Sequence, residues 1–144
     1  MLYSKRMIIS GIDMKLNKTL KAQKLLEKGI SAHKNGNFKS ALEKYKKALS
    51  FSPKNSDALH LAGLAFFESG EKQVALDYIR KAINENNNIS RYYDSLGMIL
   101  TNHTNNISTP KDISRAVKND INKNRIENLL EAELFGYEKG AFSG

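Results

Sequence analysis

Gly29, Gly63 and Gly97 stand 34 residues apart, and no other feature constrains the fold of this chain as tightly. Sliding the sequence by the same 34 positions also lays Ala41 on Ala75, Ala48 on Ala82 and Gly36 on Gly70. A fixed period of this length, with small residues at fixed phases, is the pattern of stacked helix–turn–helix units. One unit buries little by itself; it becomes stable by packing on the next, and the stack leaves a concave surface for a partner. The predicted fold is therefore all-α, a short helical solenoid.

Within each unit the apolar residues recur at helical spacing. In the first, Leu20, Leu25, Leu26 and Ile30 mark one helix and Asn35-Gly36-Asn37 a turn. A second helix follows from Phe38, with Ala41, Leu42, Tyr45, Ala48 and Leu49 on one face. Pro53 and Asn55 end it, since proline cannot continue a helix and Asn favours turns. In the second unit Ala58, Leu59, Ala62, Phe66 and Phe67 lead to the turn Ser69-Gly70-Glu71, and Val74, Ala75, Tyr78, Ile79, Ala82 and Ile83 follow. Gly29 and Gly63 sit where the first helix approaches the second, with Ala41 and Ala75 answering from the other side. Overpacking such a contact costs about 1–3 kcal/mol.

A chain of 144 residues holds one modest domain. It has no cysteine, which excludes disulfides and thiolate metal sites. Nothing approaches the roughly 18 consecutive apolar residues of a membrane span. The apolar run Met7 to Ile12 stops at Asp13, too short for a signal-peptide core. The expectation is a cytoplasmic protein without a membrane partner. The net charge of +8 attracts anions non-specifically. The lysines are spread as Lys15, Lys18, Lys21, Lys24 and Lys28, then Lys44, Lys46 and Lys47, without an arginine cluster or aromatic interleaving. They read as solvated helix faces, and no specific nucleic-acid partner is expected. His33, His60 and His103 lack paired metal spacing, and Glu127, Glu131 and Glu133 read as solvated carboxylates.

At this point a family resemblance enters. Residues 22–89 resemble two tetratricopeptide (TPR) repeats, spanning 22–55 and 56–89. The family's phases match Leu25, Gly29, Ala32, Ala41, Tyr45, Ala48 and Pro53, then Leu59, Gly63, Phe66, Ala75, Ile79 and Ala82, with Asn87 in place of the proline. A degenerate third repeat over 90–118 begins at Tyr92, Tyr93, Leu96, Gly97 and Leu100. Thr104 then replaces the turn glycine and Thr109 the inter-helix alanine, while Ile113 and Ala116 keep the register. Thr109 and Pro110 read as an N-cap and a first helical position. Residues 1–20 read as a basic leader, partly disordered at its start, and the Asn-rich stretch 119–126 as a linker.

The resemblance implies a partner groove lined by the first helix of each repeat: Gln23, Leu26, Ile30, His33, Asp57, His60, Leu64, Phe67, Arg91, Asp94 and Met98. The lysine and asparagine set that clamps carboxylates in chaperone-binding TPR proteins is missing, because Leu26 and Ile30 occupy those places. A mixed apolar groove points to an apolar or helical protein partner. Two-repeat stretches similar to 34–100 also precede bacterial glycosyltransferase-type domains.

The last eighteen residues differ in kind. Glu127 to Phe135 reads as a weakly ordered acidic helix, with Gly136 as its cap and 137–144 as a displayed loop. The string ENLLEAELFGYEKGAFSG resembles the segment around the GAFTGA loop of bacterial sigma-54-dependent transcriptional activators, which are AAA+ ATPases. That resemblance implies a sigma-factor-contacting loop at Gly140, Ala141, Phe142, Ser143 and Gly144, with Phe142 and Ser143 making the contact and sigma-54 RNA polymerase as a partner. Tyr137 stands where histidine is common. Phosphate binding in that family needs G-x-x-x-x-G-K-[ST], which is absent, as is the acidic run that positions Mg²⁺. The expectation is a non-enzymatic chain with no cofactor. Because it stops inside the motif, a truncated or fused reading frame is also expected. Two function classes remain: an interaction scaffold, or a fragment of an ATP-driven regulator with a TPR sensor region.

Overall fold

The computed structural model describes the backbone of residues 2–102 and 110–143, and the side chains of residues 11–102 and 110–127. Six helices follow one another: α1 (Leu2–Lys34), α2 (Phe38–Phe51), α3 (Ser56–Glu68), α4 (Lys72–Glu85), α5 (Ser90–Thr101) and α6 (Pro110–Ser143). No strand occurs among the described residues. The chain divides into two compact units, residues 1–99 and 100–144.

In the first unit the period seen in the sequence returns as geometry. Gly36 and Gly70 take φ of +77° and +86°, a left-handed conformation that glycine adopts without steric cost. Around each, the same pair of bonds closes the preceding helix. Asn37 N–H donates to the Ala32 carbonyl at 2.9 Å and Gly36 N–H to that of His33 at 3.0 Å; Glu71 to Phe66 and Gly70 to Phe67 repeat them at 2.9 and 3.0 Å. This is the glycine-centred double bond that satisfies the last carbonyls of a helix. The Asn37 side chain then caps α2 by accepting from Ser40 N–H at 3.1 Å. Asn55 does the same for α3 through Ala58 N–H, also at 3.1 Å.

The helices pack as α1 on α2, α3 on α4, and α2 on α3. Ala41, Tyr45 and Ala48 are fully buried, and so are their counterparts Ala75, Ile79 and Ala82. A Cβ on Gly29 would collide with the Tyr45 ring, reaching within 2.7 Å of its Cδ1. On Gly63 it would meet Ile79 at 2.8 Å and the Ala75 carbonyl at 3.2 Å. The small residue of the first helix thus admits the bulky one of the second, and Gly29 faces Tyr45 rather than Ala41.

Three expectations about the ends of the chain differ from the structure. Residues 2–20, expected to be partly disordered at their start, form the first part of α1, a helix of 33 residues. Lys, Leu, Met and Ile propagate a helix readily, and Gly11 alone costs about 1 kcal/mol, too little to stop it. In the second unit, α6 runs 34 residues without a break. It passes through 119–126, where a linker is expected, and through 136–143, where a cap and loop are expected. Asn is a weak helix former because its amide competes for local backbone groups. Here the Asn124 amide is absorbed within the helix, donating to the Asp120 carbonyl at 3.0 Å and to its carboxylate at 3.3 Å. Gly136 and Gly140 likewise sit inside a continuing helix. Pro110 is the first helical residue as expected, whereas Thr104, Thr109 and Gly144 lie outside the described residues.

Candidate functional site

α1, α3 and α5 are the first helices of successive units, and the last two are interlocked by side chains one repeat apart. Arg91 Nη2 donates to Asp57 Oδ1 at 2.7 Å. The Tyr92 hydroxyl reaches Ser56 Oγ at 3.0 Å and the same Asp57 carboxylate. One helical turn further, His60 Nε2 lies 2.7 Å from Ser95 Oγ, with its ring 4.8 Å from that of Tyr92. At the preceding junction the contact is different. His33 Nδ1 lies 3.3 Å from the Tyr45 hydroxyl, and its Nε2 lies 3.9 Å from the Glu68 carboxylate.

The electrostatics follow from this packing. Burial lowers the His60 pKa to about 4, helped by the Arg91 charge and opposed by Asp57. The imidazole is therefore neutral near pH 7. Burial tends to raise the Asp57 carboxyl, but the Tyr92 hydroxyl, Arg91 and His60 outweigh it and hold it below the usual carboxylate range. Burial pushes the Tyr45 hydroxyl up to about 12. It therefore keeps its proton beside His33.

Comparison with known proteins agrees with the stacking. Residues 31–70 match the family model described as TPR repeat. That stretch is similar to a TPR repeat. The match starts near the end of α1 and runs across α2 and α3 to the second glycine turn, so it spans the stretch where one unit hands over to the next. Over 74 residues the chain is 32% identical to the Photosystem I assembly protein Ycf3 of Synechococcus sp. (strain CC9605), covering 49% of this chain and 43% of that protein. The chain thus spans less than half the length of that relative.

The TPR phases assign eleven groove residues, and the structure sorts them into three groups. Leu26 and His60 are buried, 5% and 7% exposed, so they serve the packing between helices rather than a surface. Asp57 and Arg91 are exposed but already joined. Gln23 and Asp94 are exposed, Ile30, His33, Leu64 and Phe67 are half-buried, and Met98 is 45% exposed. Ile30, Leu64 and Met98 share one phase of the repeat, 34 residues apart. Each first helix thus carries an apolar residue at this phase, two turns after the phase of Gln23, Asp57 and Arg91.

Ser56, Ser95 and Tyr92 belong to this face as locking residues that the sequence reading did not assign to it. One signal was available: Asp57 and Arg91 are opposite charges at the same repeat phase. No group of three or more His, Cys, Asp or Glu is placed to hold a metal among the described residues. No described helix is long and apolar enough to cross a membrane. Residues 140–143 lie within α6, but their side chains fall outside the described set, as does Gly144.

Proposed function

We propose that the chain is a protein–protein interaction scaffold of the bacterial cytoplasm, holding an apolar or helical segment of a partner along Ile30, Leu64, Phe67 and Met98. The apolar rung at 34-residue spacing carries this reading. Of the helices that carry it, α3 and α5 are joined by the Asp57–Arg91 and His60–Ser95 contacts. A helix laid across such a stack offers anchors at i, i+3, i+4 and i+7, which suits parallel apolar rungs. The relative's description as an assembly protein agrees with a scaffold role. The test is selection of binding peptides from a displayed helical library, followed by chemical-shift mapping on the full chain. Perturbations should fall on α1, α3 and α5; shifts confined to α2 and α4 would overturn the assignment.

A second reading concerns residues 127–144, and the string itself supports it. In this reading the segment is a fragment of a sigma-54-dependent activator, the TPR stack is its sensor region, and Phe142 and Ser143 contact the sigma factor. The chain has no G-x-x-x-x-G-K-[ST] string, so the fragment does not bind ATP by itself. Binding of purified sigma-54 that is lost in Phe142→Ala would support the contact; unchanged binding would contradict it. Saturable micromolar binding of ATP–Mg²⁺ at one site per chain would contradict the absence of a nucleotide site.

A further inference from the structure

The two helices of the first repeat differ greatly in length, and the difference opens a cavity. α2 runs back along α1 and ends at Phe51, where Lys21 Nζ lies 5.8 Å from the centre of the Phe51 ring. α1 continues well beyond that level, so the face that carries Ala22 in the core runs on uncovered through Thr19, Lys18 and Lys15. Between it and the turn after α2 lies a cavity of about 540 Å³, within the range of about 300–1,000 Å³ usual for ligand clefts. Phe51 and Pro53 supply its apolar surface, and Lys15, Lys18 and Lys54 its charge.

The chemistry of the lining narrows the occupant. Its uncharged side-chain polar groups are partly spent within the fold. The Thr19 hydroxyl is tied to the Lys15 carbonyl at 3.0 Å, and the Asn55 side chain caps α3. No aspartate or glutamate lines the cavity. Among the described residues no ion pair engages any of its three lysines. Unpaired ammonium groups around an apolar floor favour an anion that carries an apolar group. Lysine is a flexible point charge without the planar fork of arginine, so it imposes no single anion geometry and can meet carboxylates at varied spacing along a chain.

We propose that this cavity binds an acidic segment of a partner protein, with an aromatic side chain against Phe51 and Pro53 and carboxylates at Lys15, Lys18 and Lys54. The site shares no residue with the groove on the first helices. It rests on the scaffold reading in supposing a protein partner, and it adds to that scaffold a second, charge-selective contact.

The test uses the full chain and the peptide dansyl-Glu-Glu-Phe-Glu-Asp-amide, with its acetyl-capped form as the unlabelled competitor, followed by fluorescence anisotropy at low salt. Saturable one-site binding is expected, weakened roughly tenfold or more by Lys15→Glu with Lys54→Glu. The charge-matched control, Lys28→Glu with Lys39→Glu, should change it by less than about twofold. Circular dichroism checks that both variants keep their helix content. Because the competition runs on the unaltered chain, it stands even if a variant unfolds. Unlabelled peptide should displace the probe at lower concentration than inorganic phosphate or a single-stranded oligothymidylate, and serine in place of the peptide's phenylalanine should weaken it. Equal loss in the control would reduce the effect to diffuse charge and overturn the site. Better displacement by phosphate or oligothymidylate would reassign it to another ligand class, and absence of saturable binding would also overturn it. A groove-selected helical peptide that still binds the Lys15→Glu, Lys54→Glu variant separates failure here from failure of the scaffold reading.

Discussion

Asp57 and Arg91, one repeat period apart in sequence, meet at 2.7 Å and fasten α5 to α3. Both side chains are more than half exposed, so the pair is worth little as an isolated salt bridge. Its significance is geometric. The Asp57 carboxylate also receives the Tyr92 hydroxyl, which in turn reaches Ser56. A buried aromatic and a surface ion pair thereby hold α5 in one register against α3.

Exposed pairs contribute about 0.2–1 kcal/mol. A double-mutant cycle on Asp57→Ala and Arg91→Ala should therefore give a coupling of that size by urea denaturation. Tyr92→Phe removes a partly buried hydroxyl from two partners and should cost about 1–2 kcal/mol. A coupling near zero together with a silent Tyr92→Phe would mean that the register is held by apolar packing alone.

Stability should fall as the pH drops from 7 towards 4. Unfolded His60 titrates near 6.5 and the folded residue at about 4. Between those values the unfolded chain binds more protons, and acid favours it. The stability is fully present above about pH 6.5 and lost as pH falls to about 4, with a loss of about 1–3 kcal/mol. Asp57, held below its usual value, adds its own loss only under about pH 4. Urea midpoints measured across this range should slope for the parent and flatten for His60→Gln. A parent curve flat from pH 7 to 4 would contradict a buried neutral imidazole.

The repeat period was legible because packing demands small residues at fixed phases, and Gly29, Gly63, Ala41 and Ala75 meet that demand. The turns were legible because Gly36 and Gly70 occupy a backbone conformation that costs other residues. The extent of α1 and α6 was not. Helix continuation is a cooperative sum in which a single glycine or asparagine weighs only a fraction of the total. The groove was legible only in part. A repeat phase places Leu26 and His60 on the facing side of their helices, but their burial depends on how closely the neighbouring helices approach. The lysine-lined cavity depends on α1 overrunning α2, and hence on a helix end that local sequence signals did not mark.

Gly63→Leu should destabilise the repeat pair by more than about 3 kcal/mol, since its branches would enter space held by Ile79 and the Ala75 carbonyl. Lys39→Ala, on an exposed position of α2, should stay within about 0.5 kcal/mol. Lys46 is a poorer control than its exposure implies: its Nζ lies 5.3 Å above the Phe66 ring, and Lys46→Ala should cost about 0.5–1 kcal/mol. Thermal melts order the three, and equal midpoints for Gly63→Leu and Lys39→Ala would contradict the register.

The central claim is that the first helices present the partner-binding face, and paired charge insertion tests it most directly. Leu64→Glu places a carboxylate on the apolar rung of α3, while Val74→Glu places one on an exposed position of the second helix α4. With a selected helical peptide, calorimetric titration should show affinity falling roughly a hundredfold for Leu64→Glu, about the cost of a hot-spot contact. Val74→Glu should bind as the parent does. Parental affinity in Leu64→Glu, or a greater loss in Val74→Glu, would contradict the account.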